Sequence, residues 1–155
     1  GTKNLYLEPA MTREEAEKAI CVGLEMADKC AEDGVDAIGV GEMGIGNTTT
    51  SSAILSAFTK TPAKITAGKG GGLLDEAYLH KIEVIDGAIK KHKPDVNDAI
   101  DVISKVGGFD IAAMCGVFLG AAEHRIPVVI DGFISIVAAL CAARLCPDVK
   151  DYLIA

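Results

Sequence analysis

Tryptophan is absent from this 155-residue chain, whereas glycine occurs 17 times, a combination that indicates tight turns and close helix–strand contacts. No apolar run approaches the roughly 20 residues that a membrane-spanning helix needs. Basic residues are scarce, since 15 Lys and Arg stand against 22 Asp and Glu and give a net charge of −7. This balance argues against a nucleic-acid surface and against an anionic membrane surface. An anionic ligand would therefore need a local binding site.

Patterns that hold metals or disulfides are also missing. The five cysteines form no C-x-x-C pair and lie in apolar or helical contexts, where cysteine usually acts as a small hydrophobe: Cys21, Cys30, Cys115, Cys141 and Cys146. The three histidines, which are far apart and lack ligand spacing, are His80, His92 and His124. We therefore predict no metal site and a reducing, cytoplasmic location.

The apolar segments alternate between strand-like and helix-like patterns. Thr12 and Glu15 form a capping-box pattern that begins a helix ending near residue 33, and short strands are predicted at residues 37–41, in PVVIDG and in YLIA. Between them lie predicted helices from Thr48 or Thr49, over residues 75–91, and in NDAIDVISKV, DIAAMCGVFLGAAEH and ISIVAALCAARL. Residues 1–155 are predicted to form a single α/β domain with a mainly parallel sheet flanked by helices, in a Rossmann-like three-layer arrangement.

One stretch, GVGEMGIGNTTTSS at residues 39–52, joins a predicted strand to a predicted helix. A helix N-terminus offers unpaired N–H groups and about half a positive charge, which can hold a phosphate. Gly44 and Gly46 would let the backbone approach an anion closely. The stretch is neither a Walker A loop nor a G-x-G-x-x-G motif. By itself this pattern leaves open both a phosphate site and an ordinary strand-to-helix turn.

Three long segments in sequence order carry a resemblance: EMGIGNTTTSSAI, DAIDVISKVGGFDIAAMCGVFLGAA and PVVIDGFISIVAAL. Through them essentially the whole chain resembles the nicotinate-nucleotide–dimethylbenzimidazole phosphoribosyltransferases of cobamide assembly. The resemblance implies a homodimer that exchanges the nicotinate of nicotinate mononucleotide for 5,6-dimethylbenzimidazole and forms α-ribazole 5′-phosphate. No cofactor is implied, because nicotinate leaves as a neutral ring and no pyrophosphate departs that would require magnesium.

The resemblance also assigns candidate phosphate ligands. It implies that backbone N–H groups hold the 5′-phosphate at Gly44, Ile45, Gly46, Asn47 and Thr48. Lys81 matches a phosphate-binding lysine of the family, although a lysine on an amphipathic helix is by pattern alone a solvated residue. Lys69, in the glycine-rich AGKGGG loop, is a weaker candidate.

Carboxylates and one methionine complete the candidate site. A phosphate would repel Glu42, so we expect this carboxylate to face the base or the ribose as an auxiliary catalytic group, or else to be solvated in the turn. Asp131 is expected either to contact a ligand or to cap the following helix. Asp110 is expected to cap its own helix, with reaching the site as the alternative. Met43 is expected to line the base pocket or to lie in the core.

The resemblance also places the family's general-base glutamate in a glycine-rich segment beyond residue 155. We therefore expect the chain to be an interior portion of a longer protein, with little base exchange by itself. Two alternatives remain open: the same reaction with a phenolic or purine acceptor, and a non-catalytic module that binds a nucleotide monophosphate.

Overall fold

The computed structural model describes all 155 residues. Seven α-helices alternate with three short strands. In chain order they are α1 (Arg13–Glu32), β1 (Ile38–Gly41), α2 (Thr48–Thr59), α3 (Ala63–Thr66), α4 (Asp75–His92), α5 (Ala99–Val106), α6 (Phe109–Glu123), β2 (Val128–Asp131), α7 (Gly132–Leu145), a 3₁₀ segment (Pro147–Tyr152) and β3 (Leu153–Ile154). None of the helices is long and apolar enough to cross a bilayer.

The three strands form one parallel sheet in the order β1-β2-β3. Ile38 pairs with Val128 and Gly41 with Asp131, so β1 and β2 end at the same edge. Helices α6 and α7 pack against the sheet. The opposite face, which carries Val129, is exposed to solvent. The predicted α/β class, with a mainly parallel sheet flanked by helices, is confirmed.

The predicted capping box is present at the start of α1. The N–H group of Glu15 donates to the Thr12 hydroxyl at 3.2 Å, and the Glu15 carboxylate accepts from the Thr12 N–H at 2.7 Å. Helix α5 begins in a similar way, because the Asp98 carboxylate accepts from the N–H groups of its first turn. Local sequence therefore fixes where these two helices begin.

Helices α1 and α6 cross at very short range. A Cβ atom on Gly23 would lie 1.9 Å from the Ala113 carbonyl oxygen, and one on Gly116 would lie 1.9 Å from the Ile20 carbonyl oxygen. Only glycine fits at both positions, because either side chain would overlap the opposite backbone. This crossing buries one side of each helix and fixes α6 beside the sheet.

The apolar residues of α4 predict a core face made of Leu79, Ile82, Ile85 and Ile89, and the structure differs from it in part. Leu79 is exposed and Ile82 and Ile89 are half-buried, whereas the buried residues of the helix are Lys81, Ile85 and Ala88. These three positions follow the spacing of one helical face. Apolar periodicity alone would not predict that a lysine, Lys81, lies on this buried face.

Candidate functional site

The candidate site lies at the edge where β1 and β2 end. A helix follows each of these strands. The turn at residues 42–47 connects β1 to α2, and α7 begins immediately after β2. Ligands in open parallel α/β sheets bind at the carboxyl ends of the strands. The N-termini of α2 and α7 therefore lie at the edge where such sheets bind ligands.

Glycine sets the path of the turn between β1 and α2. Gly44 and Gly46 have φ of +79° and +83°, in the left-handed region that other residues rarely adopt. The turn presents Met43 and Ile45, whose side chains are 83% and 80% exposed. Met43 is thus not a core residue, and its side chain is accessible to a ligand.

The Glu42 carboxylate folds back onto its own turn. It accepts a hydrogen bond from the Gly44 N–H group. One of the N–H groups assigned by resemblance to a phosphate is therefore occupied by this carboxylate.

The first turn of α2 is not capped. Asn47 occupies the N-cap position, but its side chain makes no capping hydrogen bond and its backbone is helical, at φ −105° and ψ 0°. The N–H groups of Thr48, Thr49 and Thr50 donate no hydrogen bond, and the first bond of the helix runs from the Ser51 N–H to the Asn47 carbonyl. Three donors at the positive end of a 12-residue helix are therefore unpaired.

The ammonium group of Lys81 lies beside this turn. Its side chain is only 5% exposed, and Nζ donates to the Thr48 hydroxyl at 2.8 Å and to the Gly68 carbonyl at 2.9 Å. Both partners are neutral, and Lys81 forms no salt bridge. Burial lowers the pKa of the Lys81 ammonium from its ordinary value, because water that would solvate the charge is excluded.

The glycine-rich loop at residues 68–72 approaches the same point. Gly70, at φ +57°, comes so close to α2 that a Cβ atom there would lie 3.0 Å from the Thr48 hydroxyl oxygen. Lys69 points elsewhere and pairs with Asp75 at 2.5 Å. The sequence identified the loop through its glycines and Lys69, but it carried no signal that the Gly68 carbonyl would hold Lys81.

Asp131 lies at the end of β2, beside Gly41. It occupies the N-cap position of α7 but makes no capping hydrogen bond. A Cβ atom on Gly41 would lie 2.8 Å from Asp131 Oδ2, so the carboxylate rests in the space that this glycine leaves. Of the two roles predicted for Asp131, the side-chain cap of α7 is wrong.

Asp110 is likewise not a helix cap. Gly108 is the N-cap residue of α6, and Asp110 lies in the first turn, where its Oδ2 accepts from the Asn47 amide nitrogen at 2.7 Å. This bond joins the start of α6 to the start of α2. Sequence reasoning missed the pair because the two residues are 63 positions apart.

The structure therefore brings together some of the candidate residues. Lys81 and Thr48 are in direct contact at the uncapped start of α2, and Asp131 lies at the neighbouring strand end. Backbone donors of this kind bind anions, and a lysine with no carboxylate partner adds a positive charge to them.

Residues 1–155 match the family described as phosphoribosyltransferase. The chain is 54% identical over 154 residues to the nicotinate-nucleotide–dimethylbenzimidazole phosphoribosyltransferase of Clostridium tetani, and the match covers 99% of this chain and 42% of the relative. The enzyme of the same name from Geobacter metallireducens is 52% identical over 156 residues, a match that covers 100% of this chain and 44% of the relative.

A solved structure agrees with these sequences. The crystal structure of CobT from Thermus thermophilus superposes with a TM-score of 0.94 at 35% identity, over 99% of this chain and 46% of that one. The chain thus spans less than half the length of the relatives that it matches. It belongs to the nicotinate-nucleotide–dimethylbenzimidazole phosphoribosyltransferase family.

Proposed function

We propose that this chain binds nicotinate mononucleotide by its 5′-phosphate and takes part in transferring the phosphoribosyl group to 5,6-dimethylbenzimidazole. The observation that carries the proposal is the buried Lys81 ammonium, which has only neutral partners and lies 2.8 Å from the Thr48 hydroxyl. A buried charge without a counter-charge is costly. A phosphate at the start of α2 would supply that counter-charge.

The proposed phosphate ligands are the N–H groups that begin α2, the Lys81 ammonium and the glycine turn at residues 44–48. Because the Glu42 carboxylate holds the Gly44 N–H group, a phosphate that used this donor would have to displace it. Glu42 would then turn towards the ribose or the base, as an auxiliary group rather than the general base. Repulsion between carboxylate and phosphate favours this movement.

The proposed reaction exchanges two bonds at the ribose C1′ atom. The bond to the nicotinate nitrogen breaks, and its electron pair leaves with the now neutral pyridine ring. The unprotonated ring nitrogen of dimethylbenzimidazole forms the new bond to C1′, and the other ring nitrogen gives up its N–H proton to a general base, so the product ring is neutral. Asp131, at the end of β2, and Met43, in the turn that follows β1, are proposed to contact the ribose and the base.

We extend the proposal to a homodimer in the cytoplasm. All five cysteines are free thiols, which supports a reducing compartment. Sedimentation equilibrium of the purified protein would test the dimer, and a single species of monomer mass at micromolar concentration would contradict it.

Two ligands that differ only in the phosphate test the proposed site. We expect calorimetry to show that nicotinate mononucleotide binds at least tenfold more tightly than nicotinate riboside, because only the former offers the charge that Lys81 lacks. Equal affinities would contradict the phosphate site. Because little base exchange is expected from residues 1–155 alone, formation of α-ribazole 5′-phosphate from dimethylbenzimidazole is measured on the chain extended through the glycine-rich segment, where it distinguishes an enzyme from a module that only binds the nucleotide.

A further inference from the structure

Asn47 is a residue of the capping type that does not cap. An asparagine at an N-cap normally turns its side-chain oxygen onto N–H groups of the first turn. Here Asp110 Oδ2 accepts from Asn47 Nδ2 at 2.7 Å, and Asn47 Oδ1 is buried without any hydrogen-bond partner. The helical backbone of Asn47 also differs from the extended backbone of the capping residues Thr12 and Asp98. Asn47 thus departs from the capping geometry in both its side chain and its backbone.

We infer that Asp110 is a positioning residue: by holding the Asn47 amide it prevents Asn47 from capping α2 and keeps the N–H groups of Thr48, Thr49 and Thr50 open to a phosphate. This inference rests on the phosphate site of the proposed function. Asp110 need not touch the ligand, since it acts through Asn47.

Gly108 makes room for this contact. A Cβ atom on Gly108 would lie 2.3 Å from Asp110 Oδ1, so an alanine there would push the carboxylate out of place. The backbone of Gly108 is extended, at φ −145°, and an alanine can adopt it without strain. Gly108→Ala therefore disturbs the Asp110 carboxylate while leaving its charge in the protein.

Amide hydrogen exchange of the ligand-free protein tests the inference directly. In Asp110→Ala the freed Asn47 side chain should cap α2 and slow exchange at Thr49 or Thr50 about five- to tenfold. Asp110→Asn should match the wild type, because its side-chain oxygen accepts the same bond. In Asn47→Ala/Asp110→Ala no cap can form, so fast exchange should return.

Phosphate affinity provides the second readout, with inorganic phosphate and nicotinate mononucleotide as probes. Asp110→Ala should weaken binding about five- to tenfold, Gly108→Ala should do so in the same direction, and the double variant Asn47→Ala/Asp110→Ala should recover most of the loss. A residue that only stabilises α6 would not show this recovery, because the second substitution would add to the damage.

The outcomes separate the two proposals. Unchanged exchange at both threonines in Asp110→Ala, or slow exchange that persists in the double variant, would overturn the positioning role. If the wild type binds neither probe, the proposed phosphate site fails, while the exchange data still decide whether Asp110 holds Asn47 away from the cap. Gly108→Ala, read by the same exchange, serves if Asp110→Ala does not fold.

Discussion

Helices α5 and α2 both begin at a residue of the capping type, and the two side chains have opposite partners. Asp98 accepts from the N–H groups of Ile100 and Asp101 at 3.1 and 3.2 Å, so the first turn of α5 is closed. The Asn47 side-chain amide donates to Asp110, so no side chain caps the N–H groups in the first turn of α2. The closed end stabilises the helix, whereas the open end keeps backbone donors available at the edge of the sheet.

Lysines near these two helices differ in the same way. Lys105, on α5, pairs with the Asp101 carboxylate at 2.8 Å, whereas Lys81, beside α2, has only neutral partners. The charge of Lys105 is thus balanced within the protein. The comparison indicates that Lys105 has its counter-charge within the protein, whereas Lys81 has no carboxylate partner.

The largest effect is expected from removing the unbalanced charge. Lys81→Met should weaken the binding of nicotinate mononucleotide by about 1.5–3 kcal/mol, the range for hydrogen bonds to charged groups. Lys105→Met is the matched control, because its charge is already paired. Calorimetry on both variants makes the test, and equal affinity losses would remove the distinction between the two lysines.

Next in size is the loss of a closed helix end. Asp98→Ala should lower the free energy of unfolding by about 1 kcal/mol, because two first-turn N–H groups lose their acceptor. Urea denaturation measures this change. Affinity for nicotinate mononucleotide should stay at the wild-type value, and a fall in affinity would show that α5 is not independent of the site.

A smaller effect is expected from the charge of Asp98. The hydrogen bond from Arg13, 2.6 Å long, is the main cause that lowers the pKa of the Asp98 carboxyl. Its charge therefore stabilises the fold above the ordinary carboxyl pKa, and this contribution is lost as the pH falls through the lowered value. The stability difference between wild type and Asp98→Asn, which keeps a capping oxygen, should shrink between pH 7 and pH 3. A difference that is constant over this range contradicts the expectation.

The smallest change in stability is expected at the other open helix end. Asp131→Ala should alter the free energy of unfolding by less than about 0.5 kcal/mol, because Asp131 makes no cap for α7. Thermal or urea unfolding beside Asp98→Ala measures the contrast. A loss as large as that of Asp98→Ala would mean that Asp131 does cap α7 in solution.

Short sequence patterns predicted most of the helices and strands, but they did not predict contacts between residues that are distant in the sequence. The Thr12–Glu15 capping box, the strand at residues 37–41 and the NDAIDVISKV helix are each encoded within a few neighbouring residues, and the structure has them nearly as expected. The α/β class followed from their alternation. Family resemblance, rather than periodicity, singled out Lys81.

Other features depend on residues that are distant in the sequence. Lys81 is buried because the Gly68 carbonyl and the Thr48 hydroxyl receive its ammonium, and no helical period encodes those acceptors. Asp110 looked like a cap because it begins an apolar helix, but its partner Asn47 belongs to another element. Capping preference describes what a side chain can do, and competing partners decide what it does.

The glycine crossing of α1 and α6 has a mechanical consequence for the start of α2. Gly23 and Gly116 let the two backbones approach so closely that a side chain at either position would overlap the opposite helix. Asp110 lies in the first turn of α6, so its carboxylate belongs to a helix that packs closely against α1 and not to a loop. The hydrogen bond between Asn47 and Asp110 then connects this helix pair to the glycine turn at the start of α2. A substitution that shifts α1 along α6 is therefore expected to change the position of Asn47 at the start of α2, although α1 itself carries none of the proposed ligands.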